Sequence, residues 1–156
     1  MQADQVLPVL DIFARIGTRA WVAGGWAVDA VVGRQTRPHG DLDLAVDAEQ
    51  LPDTITALQS AGFVVTVDAL PSRLELRASD GRCVDLHPVR FLSDGSGVQD
   101  GLGEETFCYS ADGFATGTIG AVEVACLSTA QQLAFREGYE PRDVDLHDVR
   151  LLRARL

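Results

Sequence analysis

The chain has 156 residues, 46% of them hydrophobic, a size at which one compact domain buries a core without disulfide or metal staples. Its 13 Lys+Arg against 23 Asp+Glu give a formal net charge of −10, which disfavours a surface built to neutralise a nucleic-acid backbone. Every basic residue is an arginine and none a lysine, so Schiff-base and P-loop amine chemistry are excluded and phosphate contacts fall to Arg, His and backbone N–H groups.

In chain order, Val6, Leu10, Phe13 and Ile16 recur at helical intervals over residues 4–16, and Gly17 ends that helix. A short apolar strand over 20–23 stops at Gly24-Gly25, and helical spacing resumes over 26–32 with Gly33 as its C-terminal cap. A turn-rich stretch, 34–40, leads into residues 41–46, where carboxylates and aliphatics alternate as in a strand with one polar and one buried face. The pattern then predicts a helix over 51–61, a strand over 63–67 and a hairpin of 73–78 with 83–89 around Ser79-Asp80-Gly81-Arg82. Residues 93–103, rich in Gly and polar side chains, are expected to form a surface loop. A second hairpin spans 114–118 and 122–126, and Ser128 and Asp143 are placed to cap helices over 129–137 and 143–155. This order fits an α/β fold with a mixed sheet, without repeats or an interdomain linker. One domain over 1–156 is therefore expected, with helices in 128–156 packing on or beside the sheet.

Cys83, Cys108 and Cys126 are odd in number and carry no CxxC spacing, so they are expected as free thiols in a reducing compartment. No basic leader or long apolar run is present, and the default expectation is a cytoplasmic protein without a membrane partner.

The chemistry concentrates in Asp41-Leu42-Asp43, preceded by Gly24-Gly25 and followed by Asp85 in Val84-Asp85-Leu86. In a strand, positions 41 and 43 share a face, so two carboxylates stand side by side, at a cost unless a cation lies between them. Hard oxygen ligands favour Mg²⁺ or Mn²⁺, which also bind triphosphates. A neighbouring strand can bring Asp85 to the same site, where three carboxylates suit a two-metal in-line displacement with Asp85 as general base. Gly24-Gly25 between strand and helix offers bare N–H groups at the positive end of a helix dipole, a site for phosphate. Thr36, Arg37 and His39 supply further donors just before the acidic strand. His87 lies two residues after Asp85 and either orients that carboxylate or ends the strand before Pro88.

Residues 21–46, WVAGGWAVDAVVGRQTRPHGDLDLAV, with VDLHPV at 84–89 and QLAFREGYEPRDVDLHDVRLL at 132–152, resemble the small antibiotic nucleotidyltransferases. These are the lincosamide nucleotidyltransferases and the aminoglycoside 2''-nucleotidyltransferase. The resemblance implies a polymerase-beta-like fold with a mixed sheet flanked by helices, and a Mg²⁺ site of two ions held by Asp41, Asp43 and Asp85. It places Gly24, Gly25 and Trp26 in the triphosphate-binding turn, Arg37 and His39 of the TRxHxDLD stretch on the phosphates, and Arg136, Tyr139 and Arg142 on the acceptor. Where relatives have Gly-Ser, this chain has Gly-Gly, so backbone must replace a serine hydroxyl.

The expected activity is transfer of a nucleoside monophosphate from a nucleoside triphosphate, ATP first, to a hydroxyl of a lincosamide or aminoglycoside, with release of pyrophosphate. A protein or RNA acceptor and a non-catalytic nucleotide binder are the alternatives. The −10 charge speaks against RNA, and the intact carboxylates against loss of activity. An HD-type phosphohydrolase built on His147-Asp148 lacks the histidines it needs, and the Gly-rich 95–103 stretch does not match a dinucleotide motif. Because a single small domain leaves its pocket open on one side, a homodimer is also an expectation.

Overall fold

The computed structural model describes all residues, 1–156. In chain order it contains α1 (Ala3–Ile16), β1 (Ala20–Val22), α2 (Gly24–Val32), β2 (Leu42–Asp47), α3 (Leu51–Ser60), β3 (Phe63–Ala69), β4 (Arg73–Ala78) and β5 (Cys83–Phe91). There follow β6 (Gly97–Asp100), β7 (Thr106–Tyr109), β8 (Phe114–Ile119), β9 (Val122–Leu127), α4 (Thr129–Ala134) and α5 (Asp143–Arg153).

The main sheet runs β3-β4-β5-β2-β1-β9-β8, and β6 and β7 extend it from the far end of β5. It is mixed. β2 lies parallel to β5 and β1 parallel to β9, while the remaining neighbours are antiparallel. Alternation along the two central strands decides which residues meet. Leu42, Leu44 and Val46 of β2 and Val84 and Leu86 of β5 turn to one face, where they pack with Val6, Val9 and Phe13 of α1, Leu58 of α3 and Trp26 of α2 in the principal core. The intervening Asp43, Asp85 and His87 therefore emerge on the opposite face. There Val89, Tyr109 and Leu127 form a smaller apolar cluster backed by Trp21, Phe114 and Phe135.

The helices begin and end where the local chemistry dictates. Gly17 takes a left-handed conformation, φ 69°, and its N–H returns to Ala14 to close α1. Ser128 accepts a hydrogen bond from the Gln131 N–H, as an N-cap does. The β8–β9 connection is a two-residue turn in which Gly120 and Ala121 both have positive φ, the geometry that matches strand twist.

Four expectations need correction. The 93–103 stretch is not merely a surface loop, since it contains β6, whose Gln99 is buried against β7. The α5 N-cap is Arg142 rather than Asp143, because the Asp145 carboxylate accepts the Arg142 N–H and its guanidinium. The same helix stops at Arg153, and α4 ends at Ala134 instead of reaching residue 137. Finally, β2 starts at Leu42, so Asp41 precedes the ladder rather than belonging to it. No helix is long and apolar enough to cross a membrane, and all three cysteines are unpaired.

Candidate active site

The site grows from the β2/β5 register, in which Asp43 is the direct partner of Asp85 and Ala45 that of His87. Parallel pairing of two strands with the same alternation puts Asp43, Asp85 and His87 on one face, with a ligand atom from each lying within 4.8 Å of the others. Asp41 is exposed and lies outside this tight group. Packing around its carboxylate and the neighbouring charge of Asp43 raise the pKa of Asp41.

Asp85 is the most enclosed of the three carboxylates, 4% exposed. Its Oδ2 receives Arg73 Nη1 at 3.1 Å, whereas its Oδ1 is buried without any partner. A buried, unpartnered carboxylate oxygen is costly unless a cation or a donor hydroxyl comes to it. Burial raises the pKa of Asp85, a shift that His87 and Arg73 only partly offset. Its other neighbour across the sheet, Glu75 of β4, is by contrast satisfied by Arg77 and Thr66. The oxygens of Asp43 and the free Oδ1 of Asp85 are donors suited to a hard divalent cation.

His87 Nε2 lies 3.2 Å from Asp43 Oδ1, and its Nδ1 lies 3.2 Å from the Gln99 amide nitrogen. Burial disfavours its charged form, but the Asp43 hydrogen bond and the charges of Asp43 and Asp85 outweigh this and raise its pKa.

The Gly-Gly turn abuts the same carboxylates. A β-carbon on Gly24 would lie 1.9 Å from Asp43 Oδ2, and one on Gly25 would lie 2.5 Å from both Arg37 Nη2 and His39 Nδ1. Only glycine permits this approach, which aims the start of α2 at the acidic group. The first N–H groups of a helix have no intrahelical acceptor, so Gly24, Gly25 and Trp26 present donors beside Asp43. Trp26 contributes backbone only, since its ring is 2% exposed and packs on His39 with centroids 4.6 Å apart.

A charged network fixes this turn from behind. Asp29 of α2 accepts from the Thr36 hydroxyl at 2.6 Å and from His39 Nε2, and His39 Nδ1 in turn accepts from Arg37 Nη1 at 3.1 Å. Arg37 forks onto Asp148 of α5 through Nε and Nη2, both at 2.9 Å, and Arg136 Nη2 joins the same carboxylate at 3.0 Å. Thr36, Arg37 and His39 thus lie beneath the glycine turn, with His39 buried and Arg37 partly open to solvent.

A cleft of about 400 Å³ opens over Asp43 and His87. Phe107, Tyr109, Phe135 and Leu127 form one wall, and Arg136, Tyr139 and Arg142 all line it, as do Glu105 and Asp145. Phe135 meets Tyr109 edge-on at 4.8 Å, and Phe107 meets Phe135 in the same manner at 6.0 Å. Arg142 is engaged by Asp145 at 2.8 Å. Sequence reasoning missed Arg73, Gln99 and the aromatic wall. Gln99 and Phe107 lie in or beyond a Gly-rich stretch without periodicity, and Arg73 is one arginine of 13 until the β4/β5 register places it by Asp85.

Residues 5–152 match the family model described as aminoglycoside-2''-adenylyltransferase. The chain is 31% identical over 146 residues, 94% of its length and 91% of the relative's, to a lincosamide resistance protein of Staphylococcus haemolyticus. A 2''-aminoglycoside nucleotidyltransferase of Klebsiella pneumoniae is 36% identical over 69 residues, 42% of this chain and 39% of that one. Among solved structures, the lincomycin-bound lincosamide antibiotic adenylyltransferase LnuA superposes with a TM-score of 0.87 at 29% identity, over 98% of this chain and 97% of that one. A 2''-aminoglycoside nucleotidyltransferase, ANT(2'')-Ia, in complex with adenylyl-2''-tobramycin shares the fold, with a TM-score of 0.78 at 19% identity over 97% and 87% of the two chains.

Proposed function

Because the chain belongs to the aminoglycoside-2''-adenylyltransferase family and is a nucleotidyltransferase, we propose that it transfers the adenylyl group of ATP to a hydroxyl of a lincosamide antibiotic. The observation that carries the transfer chemistry is the Asp43–Asp85 pairing, in which Asp43 lines an open cleft and Asp85, buried beside it, keeps an unpartnered Oδ1.

Asp41, Asp43 and Asp85 would hold Mg²⁺, two ions in the fullest arrangement. When bound, the metal supplies positive charge that screens the triphosphate and favours ionisation of the acceptor hydroxyl. The chain's own groups account for the rest. The N–H groups at the start of α2 receive triphosphate oxygens, and the Asp29–His39–Arg37–Asp148 network keeps that turn rigid against Asp43. Asp85 Oδ1 accepts the proton of the acceptor hydroxyl, and its raised pKa suits it to that task. The acceptor oxygen then bonds to the α-phosphorus as the α–β bridging bond breaks, and pyrophosphate leaves with the electron pair.

The cleft favours a lincosamide over an aminoglycoside. Three carboxylates, Asp43, Glu105 and Asp145, and three guanidinium groups, Arg73, Arg136 and Arg142, line it, so its summed charge is close to zero despite the −10 charge of the chain. A polycationic aminosugar is best met by a lining of net negative charge, which this cleft lacks. A molecule with one amine and an alkyl-bearing ring finds instead the aromatic wall of Phe107, Tyr109 and Phe135. The relative that aligns along the whole chain is likewise named for lincosamide resistance.

The test is pyrophosphate release with ATP and Mg²⁺ against lincomycin and tobramycin, with mass analysis of the antibiotic and an Asp43→Asn control. Adenylylated lincomycin, dependent on Asp43, is the expected product. Modification of tobramycin alone would overturn the acceptor assignment, and no nucleotide transfer to either would redirect the search to protein acceptors.

A further inference from the structure

We propose that Gln99 is a positioning residue of this site, fixing His87 in the tautomer that carries its proton on Nε2, so that His87 clasps Asp43 as a donor and stays out of the metal's ligand set. Asp43, Asp85 and His87 form a compact group whose three ligand atoms lie within 4.8 Å of one another. By distance alone, the imidazole is as good a ligand as either carboxylate. To ligate through Nε2, however, it needs a bare Nε2 and a proton on Nδ1.

The atoms around Nδ1 forbid that state. Gln99, 6% exposed, places its amide nitrogen 3.2 Å from His87 Nδ1 and 3.1 Å from the Ser72 carbonyl oxygen. A backbone carbonyl only accepts, so the group facing Ser72 must be the NH₂ end of the amide. The flipped amide would bring two acceptor oxygens together there. On the far side, the Tyr109 hydroxyl donates to Gln99 Oε1 at 2.7 Å, which holds the same orientation. With one amide hydrogen spent on Ser72, the other points at Nδ1, which must accept it. The proton of the neutral ring therefore lies on Nε2, directed at Asp43 Oδ1 3.2 Å away. This bond restrains Asp43 Oδ1, while its Oδ2 lies in the space that a β-carbon on Gly24 would fill.

The inference rests on the transferase reading for what Asp43 is held to do, whereas the tautomer is measured without turnover. The experiment is long-range ¹H–¹⁵N correlation on protein labelled at its three histidines, recorded at alkaline pH where imidazoles are uncharged, with His87→Gln to assign the signal. The expected wild-type pattern is a protonated Nε2 and a bare Nδ1, unchanged on addition of Mg²⁺. Tyr109→Phe keeps this pattern, because Ser72 still sets the amide. Gln99→Leu gives a tautomer mixture and raises the Mg²⁺ concentration for half-maximal pyrophosphate release by about 10–100-fold.

A wild-type His87 protonated on Nδ1, loss of the Nε2 proton when Mg²⁺ binds, or a Gln99→Leu spectrum identical to wild type would each overturn the assignment. The predicted tautomer in a protein that modifies neither antibiotic would sink the proposed acceptors and leave the role of Gln99 standing.

Discussion

Gly24 and Asp43 are packed so closely that a single added methyl group at position 24 would lie 1.9 Å from the Asp43 carboxylate. Strand β2 and the first turn of α2 thereby become one unit, with the donor end of the helix against the acidic group. Gly24 also has φ 57°, a conformation that costs an L-residue about 1 kcal/mol. Gly24→Ala should therefore lower the melting temperature by several degrees and abolish transfer. Gly33→Ala is the control, since its φ of 84° carries a similar strain but nothing lies within 4 Å of the added carbon. It should lose stability and keep activity. Equal activity loss in both variants would refute a local role for Gly24.

Asp85→Asn removes the proton acceptor while preserving shape. Its kcat should fall by about 10²–10⁴-fold, the range for loss of a general base. Asp43→Asn should be at least as damaging to turnover. Both should unfold at the same temperature as the native chain or higher in the absence of divalent cation, because each relieves a crowded pair of like charges. Steady-state kinetics together with thermal melts in EDTA separate the two effects, and a large drop in melting temperature would show that the carboxylates are structural.

Asp148 is buried beneath Arg37 and Arg136. Burial alone would raise its pKa, but the Arg37 hydrogen bonds and the two guanidinium charges prevail and hold it below the ordinary aspartate range. Arg142 likewise holds Asp145 down, at about 2. Depressed carboxyl groups contribute stability that is present above the unfolded-state value and lost as pH falls through the folded one. Urea midpoints should thus drop between about pH 4 and pH 2. Asp148→Asn should cost about 2–3 kcal/mol near neutrality, by leaving two arginines short of their acceptor, and should flatten that acid limb. An unchanged limb would mean that Asp148 is not the group being titrated.

Phe107 is 40% exposed and presents its ring edge to Phe135 in the cleft wall. Phe107→Ala should raise KM for lincomycin by about tenfold, from lost apolar contact, with little change in KM for ATP or in stability. A matching rise in KM for ATP would move the acceptor to another wall.

Much of this site was legible in the chain because its chemistry is local. The carboxylates of Asp43 and Asp85 each sit between aliphatic neighbours, Leu42 with Leu44 and Val84 with Leu86, and a period of two sends them to the face opposite the core. Gly24-Gly25 announces a close approach of backbone to something, and Gly17 and Gly33 mark helix ends by the same conformational logic. Other residues were opaque for equally physical reasons. Gln99 lies in a Gly-rich, polar segment that forms β6 only by pairing with the end of β5 and with β7, so no periodicity within the segment reveals it. Val64, Val65 and Val67 are rich in β-forming side chains yet exposed, because β3 is the edge of the sheet.

The sequence by itself determined the two acidic strands, the glycine turn and the family of chemistry they serve, since strand alternation and helix-end geometry are set by neighbours in the chain. Only the tertiary structure decided that Asp43 is paired with Asp85, that His39 and Arg37 are braced by Asp29 and Asp148, and that the cleft is nearly neutral inside an acidic protein. Apart from the ten-residue step from Asp29 to His39, these depend on contacts across about 40 to more than 100 residues, where strand register and helix packing, not local spacing, fix which side chains meet.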